Sequence, residues 1–213
     1  MPRLLSSRLT RINTRLVFWP CMVDMLTSVL MIFLLIYFIQ ATLAHKDLEA
    51  ELVRQNQDRF AAGFRQNFLK EIASRTVSVE QGLNLIQITF SDKILFPQGQ
   101  YELQQAGKDV LRRCAIIFKQ SAQLGFKQVQ VEGHTDDRVL NSFTYPRDNW
   151  ELSTGRAISV VKFLTENGLK ETLLSANGYA ANRPRDARDT EEARGLNRRI
   201  EIRIFFSTPG ENR

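Results

Sequence analysis

The stretch "FKQVQVEGHTDD", Phe126 to Asp137, reads as a β-strand that runs out into a cluster of polar groups. After a short interval comes "NWELSTGRAISVVKFLTENG", Asn149 to Gly168, a helical pattern ended by a glycine at a C-cap position. Working outward, "LNLIQITF" (Leu83 to Phe90) alternates apolar and polar residues like a half-buried strand. "FPQGQYELQQAGKDVLRRCAIIFKQSA" reads as a turn and then a helix from about Leu103. "LLSANGYA" is a short strand and turn, a charged loop spans Arg183 to Gly195, and "NRRIEIRIFF" is another alternating strand. Strands and helices alternate, so residues 77–213 are expected to form an α/β sandwich, large enough for its own core.

Three of these segments, "VEGHTDD", "NWELSTGRA" and "NRRIEIRI", occur in the order found in the OmpA-like peptidoglycan-binding domain, and residues 81–206 resemble that family. In the family, an Asp at the end of the second strand and an Arg in the following helix grip the diaminopimelate of the peptidoglycan stem peptide. The resemblance assigns those roles to Asp136 and Arg156, places Thr135 and Asn149 in the same pocket, and puts Asn197 and Arg198 beside it at the start of the last strand. The chemistry suits the ligand. Diaminopimelate carries an ammonium and carboxylates, so its recognition needs an anion, a cation and neutral hydrogen bonders, and the planar fork of Arg matches a carboxylate. The competing expectation is that Asp136 and Arg156 simply pair with each other.

Other readings of the polar cluster are weaker. His134, Asp136 and Asp137 carry metal-ligating groups, but His45 is the only other histidine and lies outside the domain, so no metal is expected. A hydrolase built on Ser153 lacks a nucleophile-elbow sequence, so no enzymatic activity and no cofactor are expected. The net charge of +6 admits nucleic acid, but no Lys/Arg run with interleaved aromatics occurs, and none is expected as a partner. The two cysteines, Cys21 and Cys114, have neither metal-ligand spacing nor the number for a disulfide framework.

The other half of the chain begins with residues 1–16, a basic segment holding Arg3, Arg8, Arg11 and Arg15. Residues 17–40 follow, with no Lys, Arg or Glu and a single Asp at position 24. About 20 apolar residues cross the ~30 Å hydrocarbon layer, so this is a single transmembrane helix. Trp19 suits the interfacial belt, and Pro20 is expected in the first helical turn. The charge asymmetry predicts a cytoplasmic N-terminus with everything after Gln40 on the other side, which the resemblance to a peptidoglycan-binding domain implies is the periplasmic side of a bacterial inner membrane. A cleaved signal peptide would have a core of ~7–15 residues and a small-x-small site. "TLAHKD" matches that site poorly.

An ionised carboxylate in hydrocarbon costs at least ~2.5–3.5 kcal/mol, so Asp24 should face protein or a water-filled cavity. Thr27, one turn along, and Ser28 extend it into a polar patch. One helix cannot enclose an ion pathway, so an ion-carrying role requires partner helices.

Residues 41–76 contain Leu48, Leu52, Phe60, Phe64, Phe68 and Ile72 at four- or eight-residue steps, the mark of an amphipathic helix continuing from the membrane. Its apolar stripe must be covered by its own C-terminal domain or by a second copy; a parallel homodimer is the expected arrangement.

A basic N-terminus, one span with an early Asp and an OmpA-like domain resemble the B subunit of ion-driven rotary motors. The relatives are the flagellar stator protein MotB and ZorB of Zorya anti-phage systems. "VDMLTS" matches the family's Asp followed three residues later by Thr, and the insert between "HTDD" and "NWELS" is MotB-like. The resemblance implies that Asp24 carries the ion, aided by Thr27 and Ser28. It also implies that two copies sit within a ring of polytopic A subunits and that the outer domain holds peptidoglycan. Flagellar members have a longer linker with a plug helix, so the short segment here is closer to ZorB. A lone carboxyl with few oxygen neighbours favours H+ over Na+. The rival reading is a static tether from membrane to wall, which has no use for Asp24.

Overall fold

A computed structural model describes residues 14–140 and 144–207, with side chains from Trp19 onward. The basic segment 1–16 therefore lies almost wholly outside the described residues. The chain divides into two compact units, Met1–Leu48 and Glu49–Arg213.

In the first unit the dominant element is α1, Thr14–Asn67, which runs on into the second unit. Its apolar stretch is unburied, and α1 is long and apolar enough to cross a membrane. The helix starts earlier than the sequence predicts, so Pro20 lies in the second turn rather than the first. The hydroxyls of Thr27 and Ser28 donate to the backbone carbonyl of Asp24, at 2.9 and 2.8 Å. They bond back to the helix rather than to the Asp24 carboxylate.

The second unit is built on a five-stranded sheet. Its strands are β1 (Val77–Gln81), β2 (Leu85–Ser91), β3 (Phe126–His134), β4 (Leu174–Gly178) and β5 (Arg199–Phe206). Their order across the sheet is β1-β2-β5-β3-β4, with only the β3–β4 pair parallel. Helices α4 (Gln105–Gln120) and α5 (Asn149–Glu166) complete the sandwich, with short helices α2 (Leu69–Ala73), α3 (Asp92–Leu95) and α6 (Glu191–Asn197) at its edges. Strand alternation puts Ile86 and Ile88, Ile202 and Ile204, and Val129 and Val131 in register on one face, all fully buried. The sequence reading assigns no strand before Leu83; β1 is a short edge strand paired only with β2, and Val77 is its one buried residue.

The apolar stripe after the membrane segment is covered differently from the expectation. Phe60, Phe64 and Phe68 are buried, and they pack against this chain's own domain rather than a second copy. The Phe60 ring lies 5.7 Å from Phe118, 5.5 Å from Phe126 and 6.3 Å from Phe206. Those three come from α4, β3 and β5, so the end of α1 closes the core where those elements meet. Phe64 and Phe68 stack at 4.4 Å, and the Arg113 guanidinium lies 4.5 Å over Phe68 while also pairing with Glu71 of α2. Burial pushes the Glu71 carboxyl up, but the hydrogen bond and charge of Arg113, with a backbone hydrogen bond and Lys70, together hold it below its ordinary value. The compact domain therefore starts near Glu49 rather than at Val77. Of the stripe, Leu48 and Leu52 are the exposed members, at 74% and 43%.

Truncating Phe64 to Ala should lower the stability of the domain by ~3–5 kcal/mol, the usual range for a buried Phe. Urea unfolding of the purified chain measures it, and a loss below ~1 kcal/mol would show that this part of α1 is not packed into the core. Because Glu71 has a depressed folded-state value, the stabilisation from its pair with Arg113 is present above the ordinary carboxylate range and is lost as the pH falls below that range through the depressed folded-state value, which urea unfolding at a series of pH values measures.

Candidate ligand-binding pocket

The pocket forms where β3 ends and α5 begins. Gly133 of β3 and Gly178 of β4 are register partners, and the first turns of α5 rest directly on them. A Cβ on Gly133 would lie 2.0 Å from the carbonyl oxygen of Ser153, and one on Gly178 would lie 2.1 Å from Oγ1 of Thr154. The Ser153 hydroxyl accepts from the Ala180 N–H at 3.0 Å and donates to the Trp150 carbonyl at 3.1 Å. Ser153 thus ties α5 to the turn after β4, which is a structural task and not that of a nucleophile. Asp148 caps the helix by accepting from the Glu151 N–H at 2.8 Å.

This seating aims the polar residues into one cavity of about 410 Å³, lined by Thr135, Asp136, Asn149, Arg156 and Arg198, together with Asp92. Asp136 and Arg156 are buried but do not pair with each other. Asp136 accepts from Arg198 at 2.6 Å, while Arg156 faces Asp92 at 3.4 Å and donates through Nε to the Gln100 carbonyl at 2.9 Å. Arg198 in turn lies 3.8 Å from Asp92. The result is an alternating chain, Arg156–Asp92–Arg198–Asp136, whose four charges balance. Phe96 lies 5.1 Å below the Arg156 guanidinium. Asn149 donates to the Arg138 carbonyl at 2.8 Å, bracing the loop that carries Asp136. Burial raises the Asp92 carboxyl above its ordinary value against the pull of Arg156 and Arg198, and burial lowers Arg156 against the pull of Asp92. One Asp92 oxygen, Oδ1, is buried with no partner.

Two points differ from the sequence reading. Asn197 is not among the lining residues; its side chain accepts from the N–H groups of Arg185 and Asp186 at 2.7 and 3.0 Å and donates to the Asp186 carbonyl at 2.7 Å. It therefore holds the 183–186 loop. Both Asn197 and Arg198 precede β5, which starts at Arg199. Asp92 was missed, because it follows β2, far from the motifs in sequence. No local pattern marks it, and only the β2–β5 pairing brings it to Arg198. His134, Asp136 and Asp137 do not converge. His134 points to Glu132 and Glu201, at 3.8 and 4.0 Å, on the polar face of the sheet, and Asp137 pairs with Arg194 at 2.8 Å. Arg203 and Arg199 already match those two glutamates.

A sheet of this order, with an ion-lined pocket where the second long strand meets its crossover helix, defines an OmpA-like domain, and residues 95–198 match the OmpA family. The chain is MotB-like, with that domain at its C-terminal end. It is 28% identical over 119 residues to motility protein B of Bacillus subtilis, covering 55% of this chain and 44% of the relative. It is 34% identical over 129 residues to the uncharacterized protein YtxE of the same organism, covering 59% of this chain and 49% of the relative. The chain thus matches about half the length of these curated relatives. Among solved structures, a periplasmic domain of MotB superposes with a TM-score of 0.56 at 26% identity, covering 62% of this chain and 69% of that one. The cell wall anchor of the T6SS from Pseudomonas aeruginosa superposes at 0.61 and 26% identity, covering 67% of this chain and 96% of that one.

Because the Gly133 contact is with backbone, Gly133→Ala should destabilise the domain by at least ~1–3 kcal/mol, the usual scale of overpacking. Thermal unfolding of the purified variant checks this. An unchanged midpoint would show that α5 does not rest on the glycine pair.

Proposed function

We propose that this chain is a peptidoglycan-anchored B subunit of an ion-driven motor complex in a bacterial inner membrane. In this reading its N-terminus is cytoplasmic and the OmpA-like domain periplasmic. The observation that carries the wall-binding half is that Asp136 and Arg156 open into one cavity without neutralising each other. Asp136 meets the ammonium of a diaminopimelate side chain and Arg156 meets its carboxylate, with Thr135 and Asn149 supplying neutral hydrogen bonds. Arg198 and Asp92 hold the two binding groups in place and prevent their collapse into one pair. A peptide that carries both charges gains contacts that a singly charged one lacks.

For the membrane half, Asp24 is the ion carrier. The hydroxyls of Thr27 and Ser28 are committed to the helix backbone, so the carboxylate is left for partner helices. Few oxygens around it favour H+ as the ion, since Na+ needs several. The partners are a polytopic A subunit and a second copy of this chain, whose pairing falls to the membrane segment and Leu48 and Leu52 rather than to the buried phenylalanines. The unbroken α1 supports a ZorB-like defence subunit over flagellar MotB. The similarity to a cell wall anchor favours a second reading, a static tether without ion movement.

Asp136→Ala and Arg156→Ala should each weaken retention on purified peptidoglycan by about tenfold, the scale for losing one charged contact. Asn197→Ala should act only through stability. Unchanged retention in both pocket variants would overturn the site. Asp24→Asn should abolish ion flux through the complex formed with a co-purified polytopic partner, while the complex still assembles. Recovery of this chain with no such partner, or full function with Asn at position 24, would establish the tether instead.

A further inference from the structure

A second cavity, of about 530 Å³, lies beyond Arg198 on the side of β1 and α2. Its lining includes Arg65, Arg75, Arg185, Arg198 and Arg199, and no Asp or Glu. Three of these cations are already matched outside the cavity: Arg185 by Glu80, Arg198 by Asp136 and Glu191, and Arg199 by Glu201. The other two are not. Arg65 reaches only the neutral Gln81 oxygen, at 3.4 Å, and Arg75 has no carboxylate partner among the described residues. An independent sign comes from Thr89, which also lines the cavity. It is 7% exposed, and its Oγ1 is buried without any hydrogen-bond partner. A buried hydroxyl left unpaired costs about 1–3 kcal/mol, so such a group calls for a bound partner. Arg75 also stands at φ 57°, a left-handed backbone that glycine or asparagine adopts more readily, at the turn between α2 and β1.

We propose that this cavity binds a phosphate-bearing ligand, with Arg65 and Arg75 supplying the unmatched charge and the Thr89 hydroxyl donating to one of its oxygens. Two guanidiniums and a hydroxyl offer more donors than the two oxygens of a carboxylate can use, whereas a phosphate presents three or four acceptors. The cavity is far larger than a phosphate ion. Ile72, Val79 and Leu196 give it an apolar wall, so the remainder of the ligand is a neutral or apolar body resting there. The site lies apart from Asp136 and Arg156 and goes beyond the wall-binding reading.

The test is calorimetric titration of the full chain in detergent at low ionic strength, with inorganic pyrophosphate as the probe. Saturable binding is expected. The double variant Arg65→Gln, Arg75→Gly should weaken it at least roughly tenfold, and Thr89→Val by about threefold. Glycine suits the backbone at position 75, and an unchanged melting midpoint in the double variant shows that the fold is kept. No saturable binding, or equal binding by a double variant that melts normally, would overturn the proposal. Because the probe is inorganic, the result does not depend on whether the neighbouring pocket takes peptidoglycan. Displacement of pyrophosphate by a soluble phosphodiester polymer would identify a wall-derived ligand. Displacement by phosphatidylglycerol vesicles alone would identify a lipid headgroup.

Discussion

The backbone contact between α5 and the glycine pair Gly133–Gly178 is the constraint on which the binding half of the molecule depends. Most helices pack on a sheet through side chains, ~10 Å from the strands. Here the Ser153 carbonyl and the Thr154 backbone sit where Cβ atoms would otherwise be. That close approach brings the first turns of α5 to the end of β3, so a residue on the inner face of the helix can share a cavity with residues just past the strand. Arg156 is that residue, and Thr135 and Asp136 are those past the strand. With any side chain at either glycine, α5 would ride higher and the two halves of the pocket would separate.

The second constraint is electrostatic. Arg156 and Asp92 are buried as a pair, and buried charges are expensive unless each has partners. The alternation Arg156–Asp92–Arg198–Asp136 spreads that requirement over four groups, each facing opposite charge. It also keeps the two outer members, Arg156 and Asp136, from meeting. Stability and the separation of the two outer charges thus come from the same arrangement. The unpartnered Oδ1 of Asp92 marks the residual cost.

Much of this was legible in the sequence, for identifiable reasons. The strands β2, β3 and β5 announce themselves by composition and alternation, and α5 by its helical pattern and terminal glycine. Thr135, Asp136, Asn149 and Arg156 were found because they sit within short local motifs. Asp92 was not, since its only link to the site is a strand pairing between residues about a hundred positions apart. Asn197 was misplaced for the complementary reason. It stands next to a lining residue in sequence, yet its side chain turns back to the 183–186 loop.

The stripe from Leu48 to Ile72 draws the line most clearly. Helical periodicity depends only on which residues are apolar and how they are spaced, so the sequence by itself determined that α1 has a face to bury and that its first part is fit for lipid. Likewise it determined that a single acid lies in the apolar stretch, and that an α/β domain with a polar cluster at the end of one strand follows. What covers the stripe is a property of distant partners. Phe118, Phe126 and Phe206 come together only when α4, β3 and β5 are assembled, and they then bury Phe60 within the same chain. The ion chain and the arginine-lined cavity have the same origin. Local spacing encodes faces and motifs, but the pairing of one face or charge with another is set by contacts across the fold.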